Sequence, residues 1–323
     1  MSLTTSLSPT SDLPPRTGDQ YTIEHGRYRA VIAELGATLR VLTCDGVHVT
    51  VPLGADDIAA CCQGQLLIPF PNRIASGRYT FDGVDYQLPI NEPDRDNAIH
   101  GFAKDQYWRL ERLTECEATL SWRMPPVAYY PFDLFVTATY TLDDDGLHIL
   151  VRAHNRSRHA APWALAIHPW IANGFDGYGD EIDAHNAQCT LEVDADTHVQ
   201  VNERLIPVGT ESVDGTKFDF RVPRALDEQP YDDALTDVHH DAAGIATATL
   251  TRPDGSRVAI SGDETITSFQ ICTGTGFPAE IRPAGVAVEP QTAYANAFNT
   301  GIDLIRIEPA QVSATRMSIG MRD

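Results

Sequence analysis

Three stretches of this 323-residue chain carry side chains able to bind a polar ligand and move its protons. The first, PFPNRIASGRYTFDGVDYQLPINEPDRDNAIHGFAKDQYW, runs from Pro69 to Trp108 and holds Asn72, Arg73 and His100. The second, AIHPW, closes an apolar run on His168, and the third, VAVEPQTAYANAFN, carries Glu289. Histidine is the side chain best able to give or take a proton near neutral pH. Glu289 terminates the apolar run Gly285-Val286-Ala287-Val288 and precedes Pro290, so partial desolvation would lift its pKa toward general-base work. Arg73 follows Pro69 and Pro71, which hold it on a stiff stem, and a guanidinium fork suits two adjacent hydroxyls or a carboxylate.

Each residue also has a plainer use. An arginine commonly pairs with a structural carboxylate, a lone histidine is commonly a satisfied structural one, and a strand-end glutamate can face water. Asp232 and Asp233 in QPYDDALTDV are adjacent on an expected strand and so face opposite ways; one of the two can enter a site while the other stays outside. His239-His240, and His154 with His159, reproduce no HExxH or Cys/His finger spacing, so no metal site is expected. GxSxG, P-loop and GxGxxG signatures are absent.

Strands are the elements that must position these groups. Six Asp-Gly dipeptides, at 45-46, 82-83, 145-146, 176-177, 214-215 and 254-255, mark turns, because Asp-Gly is preferred where both central residues of a type I′ turn need positive φ. Asp82-Gly83 predicts pairing of Phe81 with Val84 and Tyr79 with Tyr86, with Leu88 continuing the same face. Asp45-Gly46 predicts pairing of Cys44 with Val47 and Leu42 with Val49. A longer-looped hairpin is expected to join Val136–Leu142 to Leu147–Val151, another to cross Pro253–Ser256, and a strand to follow at Ile266–Cys272. Helical periodicity is nowhere sustained, Asp56–Cys62 being at best a turn or two. One large antiparallel β-sandwich is the economical reading, with residues 21–323 as a single unit after a flexible tail at 1–20.

Composition restricts the partners. A formal charge of −21, from 24 Lys+Arg against 45 Asp+Glu, argues against nucleic acid and anionic membranes. No apolar run approaches the roughly 18 residues of a membrane span. The start has neither the basic nor the apolar region of a signal peptide. Six cysteines without a CxxC pair fit a reducing compartment, so a cytoplasmic location is expected; the chain is expected to act as a monomer or homodimer.

The chain resembles the aldose 1-epimerase (galactose mutarotase) family in Asn72-Arg73-Ile74 with Gly77, the Phe81–Leu88 hairpin, Asn91, His100-Gly101, Trp108, His168-Pro169, Gln270 with Thr273-Gly274, and Glu289-Pro290 through Asn296-Ala297-Phe298-Asn299. Pro69-Phe70-Pro71 stands where many members carry GR-x-A, and Asp233-Ala234 where many have His-Asn, which marks a divergent branch. The resemblance implies a galactose mutarotase-like β-supersandwich and cofactor-free interconversion of the anomers of a free sugar. It implies Glu289 as the base at the anomeric hydroxyl and His168 as the acid at the ring oxygen. Arg73, His100, Asp232, Asn72 and Gln270 would hold the small-molecule sugar. A hexose-6-phosphate mutarotase would need a basic cluster, yet Asn72–Leu110 holds five basic and six acidic residues. A non-catalytic sugar-binding module on the same fold is the alternative of a different class, and a glycoside hydrolase would need a second flanking carboxylate.

Overall fold

The structure is a computed structural model in which residues 13–175, 181–227 and 229–322 are described. The chain is 48% strand and 5% helix, and every strand pairing among the described residues is antiparallel. The alternation of apolar and polar residues is the cause: in Leu134–Asp143 every second side chain is buried, and it zips residue by residue onto Gly146–Asn155. That pair lies within a nine-stranded sheet. An eight-stranded sheet, bearing Leu66, Ile167, Leu235, Phe269, Ile271, Val286 and Val288 on one face, closes over it, and these side chains join one contiguous core with Leu120, Val136, Val151, Ile260 and Ile319. The sandwich is the arrangement in which two such one-sided sheets cover each other.

The turn signals largely set the registers. Phe81 pairs with Val84 and Tyr79 with Tyr86, although Val84 is 50% exposed, so the buried side of this hairpin is Tyr79, Phe81 and Leu88. Cys44 pairs with Val47, and the Val49 amide bonds to Leu42 as expected. Val136–Leu142 joins Leu147–Val151 as expected, with Leu142 opposite Leu147, but the loop between them is shorter than expected. Asp143 pairs with Gly146, so Asp144-Asp145 make the reversal. Gly146 is needed there because a Cβ would lie 2.5 Å from the Ile319 carbonyl oxygen. Leu250 pairs with Val258 across a loop in which Gly255 has positive φ. The following strand is Ser268–Cys272, shorter than Ile266–Cys272. Asp176-Gly177 lies outside the described residues.

Among the described residues α-helix is confined to Glu181–Asn186 and Ala297–Thr300, with single 3₁₀ turns at Pro93–Arg95 and Ala103–Asp105, and neither α-helix was foreseen, being too short to show a period. Of the expected tail at 1–20, residues 1–12 lie outside the described residues. Beyond them Thr17 is buried, its amide bonds to Ala55, and Gln20 already begins a strand.

Candidate active site

The eight-stranded sheet turns one face to the core and the other to a cleft, and period two decides which side chains enter the cleft. In Gly285–Gln291 they are Ala287, Glu289 and Gln291. Opposite these on Ser268–Cys272 stand Cys272, Gln270 and Ser268, and beyond them on Asp232–Val238 stand Asp232, Ala234 and Thr236. On the other flank Trp170 pairs with Ala287 and Ala166 with Gln291. The same register puts His168 opposite Glu289. Here the flanking strand is interrupted by His168-Pro169, between Ala166–Ile167 and Trp170–Ala172. The interruption lets the imidazole lie across the carboxylate, His168 Nε2 being 3.3 Å from Glu289 Oε1. Glu289 sits in mid-strand and not at a strand end: Gly285–Gln291 continues through Pro290, and the carboxyl is 2% exposed.

A polar rail from the first stretch crosses this face. Arg73–Ala75 pairs with Asn97–Ile99, which brings the loop ends Asn72 and His100 together. The His100 amide donates to the Asn72 carbonyl at 2.9 Å, and the Asn72 amide donates to His100 Nδ1 at 3.1 Å. A ring whose Nδ1 accepts carries its proton on Nε2 when neutral, so His100 is preset as a donor. Asn296 clamps the rail from beneath, its amide bonding to the Arg73 carbonyl and its side-chain oxygen accepting from the Ala75 amide. Gly101 permits the turn, with φ +59° and an added Cβ 2.1 Å from the Ile68 carbonyl oxygen. Gly101→Ala is therefore expected to cost at least about 2 kcal/mol, seen as a lower thermal midpoint with activity falling as His100 is displaced.

One amide chain ties the rail to the sheet. Asn72 Nδ2 donates to Gln270 Oε1 at 3.1 Å, and Gln270 Nε2 donates to Asp232 Oδ1 at 2.7 Å. Arg73 does not offer its whole fork to the cleft. Its Nε and Nη2 grip Glu92, at 2.9 and 3.0 Å, and only Nη1 faces Asn72 Oδ1 and, 3.9 Å away, Asp232 Oδ2. Burial works to raise the Glu92 carboxyl, but Arg73, Asn97 and Arg95 outweigh it and hold it below the usual range. Sequence did not reveal Glu92; its only signal was a carboxylate in the loop between the two halves of the rail.

Opposing fields act on the central pair. Burial, reinforced by Asp232, pushes Glu289 well above the ordinary carboxylate range, against the pull of Gln291 and Arg73. Burial lowers His168 to about 4, and burial also pushes His100 well below the usual imidazole value, with His168, Arg73 and Lys104 adding to that shift. Burial thus disfavours the charged form of both groups, so between the His168 and Glu289 titrations the pair holds one titratable proton. Asp232, more exposed at the cleft mouth, is raised by burial while Arg73 and Gln270 pull it down.

The two aspartates part as strand geometry requires. Asp232 faces the cleft, and Asp233 faces away to His198, whose ring bonds Asp233 through Nε2 and Glu211 through Nδ1, each at 2.9 Å. Both ring nitrogens face carboxylates, so the charged imidazolium fits best. Burial opposes that charge, but the two bonds outweigh it and raise the His198 pKa. The stability it supplies is full below the unfolded value of about 6.5 and is lost as pH rises through the raised folded value. The thermal midpoint should decline over that window, and His198→Phe, which strands Asp233, should cost about 1–3 kcal/mol and flatten the decline. Unfolding followed by circular dichroism from pH 5 to 9 measures both.

Comparison with known proteins converges on one family. A family model described as aldose 1-epimerase matches residues 19–320. The Escherichia coli K12 protein named uncharacterized protein YihR is 30% identical over 297 residues, covering 90% of each chain. Homo sapiens galactose mutarotase is 29% identical over 237 residues, 69% of this chain and 66% of that one. Among solved structures, the GalM/aldose epimerase homologue from C. elegans has a TM-score of 0.81 at 20% identity, covering 94% of this chain and 98% of that one. Galactose 1-epimerase from Lactobacillus acidophilus NCFM has a TM-score of 0.77 at 21% identity, covering 93% of each. The fold is thus shared at identities low enough to mark a divergent branch.

Proposed function

This chain belongs to the aldose 1-epimerase family, and we propose that it interconverts the α and β anomers of a free aldose such as galactose or glucose. The observation that carries this reading is the buried pair Glu289–His168, in register across the sheet and 3.3 Å apart. Ring opening needs a base at the anomeric hydroxyl and an acid at the ring oxygen, each reversing its role on closure.

The proton balance of the pair suits that cycle. With a sugar bound, transfer of the shared proton from Glu289 to His168 creates a carboxylate and an imidazolium together. Glu289 takes the anomeric proton, the C–O bond to the ring oxygen breaks, and His168 delivers its proton to that oxygen. The products are an open-chain aldehyde, a neutral carboxylic acid and a neutral imidazole, the uncharged forms that burial favours. After the aldehyde carbon turns, His168 removes the hydroxyl proton and Glu289 protonates the carbonyl oxygen, closing the ring as the other anomer. His100 Nε2, Arg73 Nη1, Asp232, Asn72 and Gln270 hold the sugar hydroxyls in this scheme. Such acid/base transfer supplies about 10² to 10⁴ in rate.

A phosphorylated sugar draws less support, since the Arg73 fork is already occupied by Glu92. The test is polarimetry of freshly dissolved α-D-galactose and α-D-glucose. Acceleration of either relaxation to equilibrium supports the reading; relaxation of both at the buffer rate, with bound sugar detectable by calorimetry, would replace it with a binding module.

A further inference from the structure

Glu289 has two oxygens, and their neighbours differ. Oε1 lies against His168, whereas Oε2 is approached at 3.4 Å by Gln291 Nε2, two residues on along the same strand face. Gln270, the cross-strand neighbour, makes no hydrogen bond to Glu289: its oxygen accepts from Asn72 and its amide donates to Asp232. Gln291 is fully buried, flanked in register by the small residues Ala166 and Ser268, which leave its side chain room to fold back along its own strand. Among the described residues its Oε1 finds no hydrogen-bond partner, and neither does the buried Ser268 Oγ beside it. A buried amide with one end on a carboxylate and the other end unused is costly unless it does something for that carboxylate.

We propose that Gln291 is a positioning residue that holds the Glu289 carboxyl plane and serves it in both protonation states. Its N–H donates to the carboxylate; a half-turn of the same amide presents Oε1 to the O–H of the carboxylic acid. Gln291, with no exposed surface, does not touch the sugar. The inference rests on Glu289 being the proton-transfer group proposed above. The other titratable or charged groups acting on Glu289 are His168 from the interrupted strand, Asp232 and Cys272 from the neighbouring strands, Arg73 from the rail and Cys62 from the loop before it. Among the described residues only Gln291 donates to Oε2.

The experiment compares wild type, Gln291→Met and the nearly isosteric Gln291→Glu. It follows the Glu289 carboxyl by carbon-13 NMR of glutamate-labelled protein, its signal assigned by its loss in Glu289→Gln, together with kcat and KM against pH. The bond donated to the carboxylate is stronger than the one accepted from the neutral acid, so losing both in Gln291→Met should raise the Glu289 midpoint by the difference, about one pH unit. At pH 7, kcat should fall about tenfold, since the ionised partner of the pair is tenfold rarer per unit. KM should stay within about threefold, and the alkaline limb of kcat should move upward. Gln291→Glu should shift the midpoint further in the same direction. A midpoint unmoved in either folded variant overturns the proposal, as does a raised KM with an unmoved limb. Should wild type fail to accelerate any aldose, the anomerase reading falls, and the NMR midpoint still decides the role of Gln291.

Discussion

Glu289→Gln is expected to lower kcat for anomerisation by about 10³ to 10⁴ while sugar affinity changes by less than about threefold. The amide has the shape of the carboxyl and keeps a neighbour in Gln291, but it can neither take nor return a proton. The same variant should be at least as stable as wild type at pH 7. Burial raises the Glu289 pKa, so the folded state holds a proton that the unfolded chain releases near pH 4.3. Wild-type stability therefore falls as pH climbs from about 4.3 toward the raised value, and the amide removes that loss. An inactive variant with an equal or higher thermal midpoint would separate chemistry from folding. Residual activity within tenfold of wild type would remove Glu289 from the centre of the reaction.

His168→Asn is the second large effect, with an expected loss of about 10² to 10⁴ in kcat and a diagnostic change in pH dependence. In wild type the active pair holds one proton. Below about pH 4, where His168 titrates, it holds two; above the raised Glu289 value it holds none. The kcat profile should rise through about pH 4 and fall again at higher pH as Glu289 ionises. Asparagine has no proton to gain in that range, so the acid limb should vanish and the alkaline limb remain. An acid limb persisting near pH 4 in the variant would assign that titration to another group. Galactose relaxation measured by polarimetry from pH 3.5 to 9 reads both limbs.

The sandwich was legible because its strands are one-sided: alternation over Leu134–Asp143 and Gly146–Asn155 can bury its apolar half only against a second sheet. Asp45-Gly46 and Asp82-Gly83 make their reversals with positive φ at both residues, whereas in the expected hairpin at Asp145-Gly146 the reversal lies one residue earlier and the tight approach of Ile319 puts the glycine in the pair. Local context also marked Glu289, His168 and Arg73 as unusual. It misplaced Glu289 at a strand end because Pro290 reads as a terminator; the strand tolerates it, and Pro290 still pairs in register with Phe269.

By itself, then, the amino-acid order determined the all-β architecture and which residue types could exchange protons, since these follow from short-range pattern and composition, and its family fragments carried a resemblance that the whole-chain match bears out. Tertiary structure alone decided which of them meet. The amide chain from Asn72 through Gln270 to Asp232 spans 198 and then 38 residues of sequence. Which of Asp232 and Asp233 faces the cleft follows from the register of their strand against Ser268–Cys272, and Asp233 is taken up on the other side by His198 from another strand. The shifts at Glu289 and His168 come from burial by the whole sheet. Desolvation and through-space fields depend on distance, and distance between remote residues is what the order of residues does not contain until the chain has folded.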